Sequence, residues 1–483
     1  KDVKFWVDDG RLTRPMIIVY NSWDEPEMFA NDPEIAPHLG KPDLPPFKQG
    51  ILLNESHIER IKTGQIGIED LIDAGIVEWV TVAEQSFNCL LACGPKYLEK
   101  YKNNCRYRYS HLDFPQMMLS ITSHVAVYGH CNQTPRNVFE NNQAKHTAGN
   151  VSNMWPFRPD KNTYLQYENE YPIVGTLANT LVSPSGMNTV VAIACYTGYN
   201  QEDSSIMSAG AIDRGWSCCS KFIHYTAEKS DAKREFKVPN AATTRDINPE
   251  YNYSKLGPGA FVPIGTHVTK NDVLVAVMTD ISGESRDSKF AYADRSLVYK
   301  SPEDGFVYDV IENTKADGTK FIRVCIRVPR PVSKGDKFST RTGQKNICAF
   351  EFSDSDLPFT EEGVTPTVIM NPHAIPTRMT CGDLFEKISA NWAAIKGTTA
   401  DCTMFFPHRI QSYCRELDNM GYNPYSLQKC YSGFIGEPIQ TPMLMGITFI
   451  QRLLKFVMDS FQINSEGPLD PLTRQPVAGR ARD

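Results

Sequence analysis

The longest unbroken apolar runs in this chain are the length of a strand. VVAIAC at residues 190–195 is typical, with polar and Gly/Pro-rich stretches on either side. A run of that size can be buried on both faces of a sheet, but it is far too short for a helix that crosses a bilayer. The chain is therefore expected to fold as a mixed α/β protein, mostly β, in several domains. With 483 residues it can bury more than one core.

Strand signals recur along its length. Residues 4–7 and 12–20 flank Asp9-Gly10, a two-residue hairpin turn signal. Residues 21–60 are rich in Pro, Asp, Glu and Asn and read as loop. A helix is expected near residues 68–73, then a strand through Trp79 and Val82. Residues 1–118 thus read as a peripheral α+β module. Residues 119–218 alternate apolar strands with polar loops. Residues 219–330 carry β-like runs around 261–262, 273–278, 306–311 and 321–328, as in a small β insert. Residues 331–483 bring helices. One follows a capping-box-like Thr380…Asp383 and ends at Gly397. A second runs from Pro407 to Gly421. A third is expected to carry Phe449, Leu453, Phe456 and Val457.

Thirteen cysteines show no CxxC pair, which argues for reduced thiols and offers zinc no ligand set. Net charge is −6, yet a nucleic-acid binder needs only a local basic stripe. One exists over residues 320–345, where eight Lys and Arg side chains accompany a single acid, Asp336.

Five stretches could carry chemistry. GYNQEDSSIM (198–207) puts Glu202 and Asp203 at the exit of the 190–195 strand. An acid there can ligate a hard cation such as Mg²⁺. On local pattern alone, Asp203 as a turn cap is the simpler reading. KGDKFSTRTGQKN (334–346) carries Lys337, Arg341 and Lys345 around Gly343, which suits phosphate, or else a solvated basic hairpin. NPHAIPTRMT (371–380) presents His373 and Arg378 from a proline-stiffened loop, or merely leads into the helix after Thr380. In HCNQTPRN (130–137), Arg136 follows Pro135, and Lys145 lies further on; a polar loop entering a helix would look the same. LTRQPVAGRARD (472–483) adds Arg474, Arg480 and Arg482 as a weak basic tail. There is no GxGxxG, Walker A, HExxH or GxSxG string. The chemistry on offer is metal and phosphate handling.

Together these strings resemble the second-largest subunit of multisubunit RNA polymerases, in its archaeal–eukaryotic–viral branch. The resemblance runs from DDGRLTRPMIIVY (8–20) to TRQPVAGRARD (473–483). It implies a hybrid-binding region with a double-psi β-barrel at 119–218 and 331–483. It implies a wall, or flap, at 219–330 and part of the external domains at 1–118. Asp203, with Glu202 beside it, would position the nucleotide-borne second Mg²⁺. The permanent Mg²⁺ would sit on an aspartate triad of the largest subunit. Arg136 and Arg378 would meet the phosphates of the incoming nucleotide. Lys337 and Lys345 would hold the RNA 3′ end, with Lys145, Arg341, Arg474 and Arg480 as further nucleic-acid contacts. Partners would be the largest and smaller polymerase subunits, template DNA, nascent RNA and nucleoside triphosphates, with no membrane.

The sequence departs from the family at His146 (usually Gln), Thr342 (usually His) and Asn346 (usually Gly). It also lacks the expected basic residues at 461–468. This divergence points to a large cytoplasmic DNA virus of the African swine fever type, hence a cytoplasmic location, nuclear otherwise. The opening on Lys1 and the end after an arginine-rich stretch suggest a piece of a longer chain. Two rivals are a scaffold that keeps the fold without the chemistry, and a free-standing nucleic-acid-binding protein. The second fits poorly with overall acidity and the lack of an aromatic stacking motif.

Overall fold

The structure is a computed structural model. It describes residues 121–475, apart from 151, 153, 159, 181–182, 230–232, 282–289, 407–408 and 461–466, together with Val477 and a set of strands and helices between residues 7 and 113. The chain divides into two compact units, Lys1–Ser120 and Ile121–Asp483. It is mostly β, with a few helices.

In the first unit, Val7–Asp8 pairs antiparallel with Arg11–Leu12, consistent with the turn signal; residues 9–10 themselves lie outside the described residues. Strand Arg14–Tyr20 pairs with Tyr109–Asp113 and with Val77–Val80. Helix Ile68–Asp73 stands where the sequence placed it. A helix at Glu55–Lys62 does not fit the loop reading of 21–60. Its polar composition hid it, because it buries no side chain.

The second unit is built on a barrel. Its strands are β1 (Met187–Ile193), β2 (Ser204–Ser208), β3 (Lys337–Thr340), β4 (Lys345–Phe352), β5 (Val368–Met370) and β6 (Met443–Arg452). They neighbour one another in the order β1-β5-β2-β4-β3-β6, and β6 pairs back onto β1, which closes the ring. Closure removes the sheet edges. Both faces are covered. Val191, Met207, Phe338, Val368 and Ile450 form one core. Ala192, Ile206, Ile369 and Met445 pack the other way, against Leu357 and Tyr196. This is why 190–195 reads as continuously apolar.

β6 overturns the third expected helix. Phe449 lies in this ten-residue strand and Leu453 just beyond it, and only Val457–Ser460 is helical. The run is rich in β-branched and aromatic residues and is buried nearly throughout, so its apolar spacing mimicked a helical stripe.

Three helices flank the barrel: α1 (Thr134–Ala144), α2 (Cys381–Lys396) and α3 (Ile410–Asn419). α2 ends at Gly397, whose φ of 68° is the left-handed cap expected there. The capping box at its start does not form. The Thr380 side chain makes no cap bond, and Asp383 pairs instead with Lys387 at 2.7 Å, both fully buried. α2 crosses β6 so closely that a Cβ at Gly446 would meet Lys387.

A five-stranded sheet completes the unit. Cys219–Glu228 lies between Lys320–Arg330 and Asn162–Gln166, and Gly305–Thr314 and His267–Val268 extend it. Its core is aliphatic, with Leu274, Val324 and Ile326 at 0% exposure. Arg452, at the end of β6, joins this sheet to the barrel. Its guanidinium donates to the carbonyls of Ser217, Arg330 and Pro331 and pairs with Asp336 at 2.6 Å.

Candidate active site

Strand pairing brings the motif loops together. β2 begins at Ser204, beside Ile347 of parallel β4, and its next residue, Ser205, faces Met370 of antiparallel β5. The loop before β2 carries Glu202 and Asp203. β4 begins at Lys345, and the chain leaving β5 runs into 371–378. β3 sets Lys337 opposite Ile347. Three stretches far apart in sequence, 202–203, 337–345 and 371–378, thus reach one rim of the barrel.

Asp203 is presented from an unusual turn. Glu202 and Asp203 both have left-handed backbone, φ 45° and 62°. Each such non-glycine residue costs on the order of 1 kcal/mol, so the surroundings must impose it. Buried Asn200 does so. Its side chain accepts from the Tyr196 N–H and donates to the Ala194 carbonyl. Ile347 N–H then donates to the Asp203 carbonyl at 2.9 Å. Among the described residues, the Asp203 carboxylate caps no helix or turn. Ser208 caps the helix that follows, and Asp203 forms a short ion pair with Arg378.

Arg378 ends a short helix, Ala374–Arg378, so the proline-rich segment is a helical turn more than an open loop. Nη2 of Arg378 goes to Asp203, and Nη1 donates to Oε1 of Gln344 at 2.6 Å. Arg136 lies in the first turn of α1, where Pro135 suits the helix start. Its guanidinium stands 5.0 Å from the Phe139 ring centroid and reaches the Gly343 carbonyl at 3.5 Å. Gly343 is required there. Its φ is +74°, and a Cβ would strike the Arg136 carbonyl.

Lys337 follows Asp336, whose carboxylate is held by Arg452 and by the backbone N–H groups of Ser333 and Val457. That buried anchor fixes where Lys337 leaves the sheet. Among the described residues, neither Lys337 nor Lys345 pairs with a carboxylate.

Arg136, Asp203, Lys337, Lys345 and Arg378 all line one cleft of about 600 Å³, joined by His146 and Lys455. A neighbouring cavity of about 650 Å³ shares Asp203 and Arg378 and adds Glu202, Cys195 and His373. The first cleft sets four Arg or Lys groups from the expected list against one acid. Burial, and then the like charge of Arg378, push the Arg136 guanidinium below its ordinary pKa, while Asp203 opposes them. A polyanion would relieve that repulsion, so the arrangement suits phosphate. Behind the cleft, Glu140 lies one turn along α1 from Arg136 and is completely buried. Burial drives its pKa well up, with Arg341 opposing.

Among the described residues, no three His, Cys, Asp or Glu side chains are grouped to hold a metal. The half-exposed Asp203 carboxylate fits a hard cation as one ligand of several, with Glu202 next to it and the remaining oxygens coming from elsewhere.

Other expected contacts fall outside the cleft. Arg341 is a correction. Its side chain is 1% exposed, pairs with Glu386 at 2.6 Å and donates to the Val174 carbonyl, so it faces the interior and not a nucleic acid. Lys145 is exposed at the end of α1. Arg474 is exposed in a turn held by Asp470, and Arg480 lies outside the described residues. Of the departures at described positions, Thr342 and Asn346 are buried and His146 faces the cleft, while residues 461–466 lie outside the described residues. Sequence reasoning missed Gln344, which carries no charge, and Lys455, whose neighbours form no motif.

A family model described as RNA polymerase Rpb2, domain 6, matches residues 122–482. DNA-directed RNA polymerase II subunit 2 of Arabidopsis thaliana is 31% identical, over 100% of this chain and 40% of that protein. DNA-directed RNA polymerase II subunit RPB2 of Encephalitozoon cuniculi is 32% identical, over 100% and 41%. DNA-directed RNA polymerase subunit Rpo2 of Sulfolobus acidocaldarius is 30% identical, over 99% and 40%. The chain spans about two fifths of the length of these relatives.

Proposed function

This chain belongs to the RNA polymerase Rpb2 family, and from that membership we propose that it is the active-centre portion of a second-largest subunit of DNA-dependent RNA polymerase. Its work is to hold nucleotide and RNA phosphates beside a metal centre completed by the largest subunit. The observation that carries this reading is the convergence of Arg136, Lys337, Lys345 and Arg378 around Asp203 in one cleft.

Arg136 and Arg378 grip the triphosphate of the incoming nucleotide, and Lys337 and Lys345 hold the RNA 3′ end. Phosphoryl transfer needs placement and charge neutralisation more than covalent help, and these four groups supply both. Asp203, with Glu202 beside it, offers an oxygen ligand to the nucleotide-borne Mg²⁺. Bound Mg²⁺ supplies charge neutralisation at the attacking and leaving oxygens. Contacts to backbone phosphate read no sequence, as templated synthesis on any DNA requires.

The barrel is of the double-psi kind. Residues 119–218 and 331–483 form the hybrid-binding region, 219–330 the wall, or flap, and 1–118 part of the external domains. The partners are the largest and smaller polymerase subunits, template DNA, nascent RNA and nucleoside triphosphates. A viral source would place the enzyme in the cytoplasm, and a eukaryotic cellular source in the nucleus.

Asp203→Ala tests the reading. In the assembled enzyme it is expected to slow templated RNA extension about 100-fold or more at limiting nucleotide, with subunit assembly intact. Normal extension rates would defeat the metal assignment and favour a scaffold without chemistry.

A further inference from the structure

Arg378 is held by two groups of different character. Asp203 is half exposed and belongs to the cleft. Gln344 is fully buried and belongs to the hairpin between β3 and β4. The Gln344 side chain is itself fixed at both ends. Oε1 accepts from Arg378 at 2.6 Å, while Nε2 donates to Thr380 Oγ1 at 2.7 Å and to the Ala374 carbonyl at 3.0 Å. Thr380 is buried at 0% exposure. Those bonds tie Gln344 to both ends of the short helix that carries Arg378.

We propose that Gln344 is the positioning residue for Arg378. This rests on the reading of Arg378 as a phosphate-binding group. A carboxylate that gives its electron density to a metal holds a guanidinium partner less strongly. The Asp203 anchor of Arg378 is then weakened just when Arg378 has to meet the nucleotide. Gln344 remains, because none of its partners lies on the ligand. An arginine left free would spend much of its time in other rotamers, and fixing it beforehand saves that entropy at binding. A neutral amide suits the task better than an acid. It accepts from one guanidinium nitrogen without neutralising the charge that the phosphate must feel. Hairpin geometry and nucleotide affinity are thereby coupled: Gly343, adjacent to Gln344, packs on the Arg136 backbone, so one hairpin tip sets both arginines.

The test is a double-mutant cycle in the assembled enzyme, read by templated extension over a range of nucleotide concentrations. Gln344→Met keeps the volume and removes all three hydrogen bonds. It is expected to raise the KM for nucleotide about tenfold and change kcat less than threefold. Arg378→Ala raises KM further, and adding Gln344→Met to it produces no additional rise. Thr380→Val, which unfastens Gln344 from below, shifts KM in the same direction by a smaller factor. Thermal melting of each variant reports whether the hairpin still folds. KM effects of Gln344→Met and Arg378→Ala that multiply in the double variant would overturn the proposal, as would an unchanged KM in Gln344→Met. If Arg378→Ala itself leaves KM unchanged, the phosphate-binding reading fails first.

Discussion

The barrel and the five-stranded sheet solve the problem of burial in opposite ways. The sheet fills its interior with aliphatic side chains, such as Leu274, Val324 and Ile326, and its buried charges are Arg330, paired with Glu303 and Asp459, and Asp272, paired with Lys255. The barrel and its helices bury ion pairs well inside, namely Arg341 with Glu386, Asp383 with Lys387 and Asp336 with Arg452. Several polar atoms there lack a protein partner, among them two Arg341 nitrogens and Nε of Arg452. Hydrophobic packing tolerates sliding, whereas a hydrogen-bonded ion pair fixes direction as well as distance. The lesson is positional. Where loops have to deliver charges to one point, the chain uses buried polar links. Where it needs only a firm layer, it uses Val and Ile.

The largest effect that would break this contrast is at Arg341. Arg341→Met leaves Glu386 buried without its partner and is expected to cost about 3–5 kcal/mol in chemical denaturation. Adding Glu386→Leu should return much of that loss, since a buried pair replaced as a whole is often neutral. A cost below about 1 kcal/mol for the single variant would mean that water, not Arg341, satisfies the site. Next is Ile326→Ala in the sheet. It should cost about 3 kcal/mol through lost packing while leaving the nucleotide KM of the assembled enzyme unchanged. A shifted KM would show that the sheet tunes the cleft, and the contrast would blur.

The smallest effect sharpens the electrostatic side. Glu140 has its folded pKa raised by burial, so between the ordinary carboxylate value near 4.3 and that raised value the folded chain binds a proton that the unfolded chain has released. Its contribution therefore falls as pH rises through that window. Glu140→Gln is expected to match the wild type at pH 4 and exceed it by roughly 1 kcal/mol or more at pH 7, read as a growing difference in Tm. A variant less stable than the wild type at pH 7 would show that Glu140 is ionised and paired with Arg341.

Sequence made some of this plain and hid the rest for definite reasons. The strands near 306–311 and 321–328, and α2 with its Gly397 stop, were readable, because periodicity and turn chemistry are local. Arg341 was not, since a charge does not announce its depth and its partner Glu386 lies on another element. β6 passed for a helix because burial on both faces erased the period-2 signal. Gln344 sits inside a quoted motif, yet nothing local distinguishes an amide that anchors Arg378 from one that faces water. The convergence of three motif loops on one rim followed only once the register of β2 against β4 and β5 was known.

The closing of the ring by β6 onto β1 sets an order on the birth of the molecule. Met187 is partnered by Ile450, so the earlier strand leaves the ribosome long before its mate exists. Loops that must wait for such distant sequence are slow to settle, and a half-made ring exposes strand edges that invite aggregation. Translation must therefore run through Arg452 before the ring can close and the cleft on its rim can form. A chain that ends ahead of β6 leaves β1 and β3 without the strand that joins them.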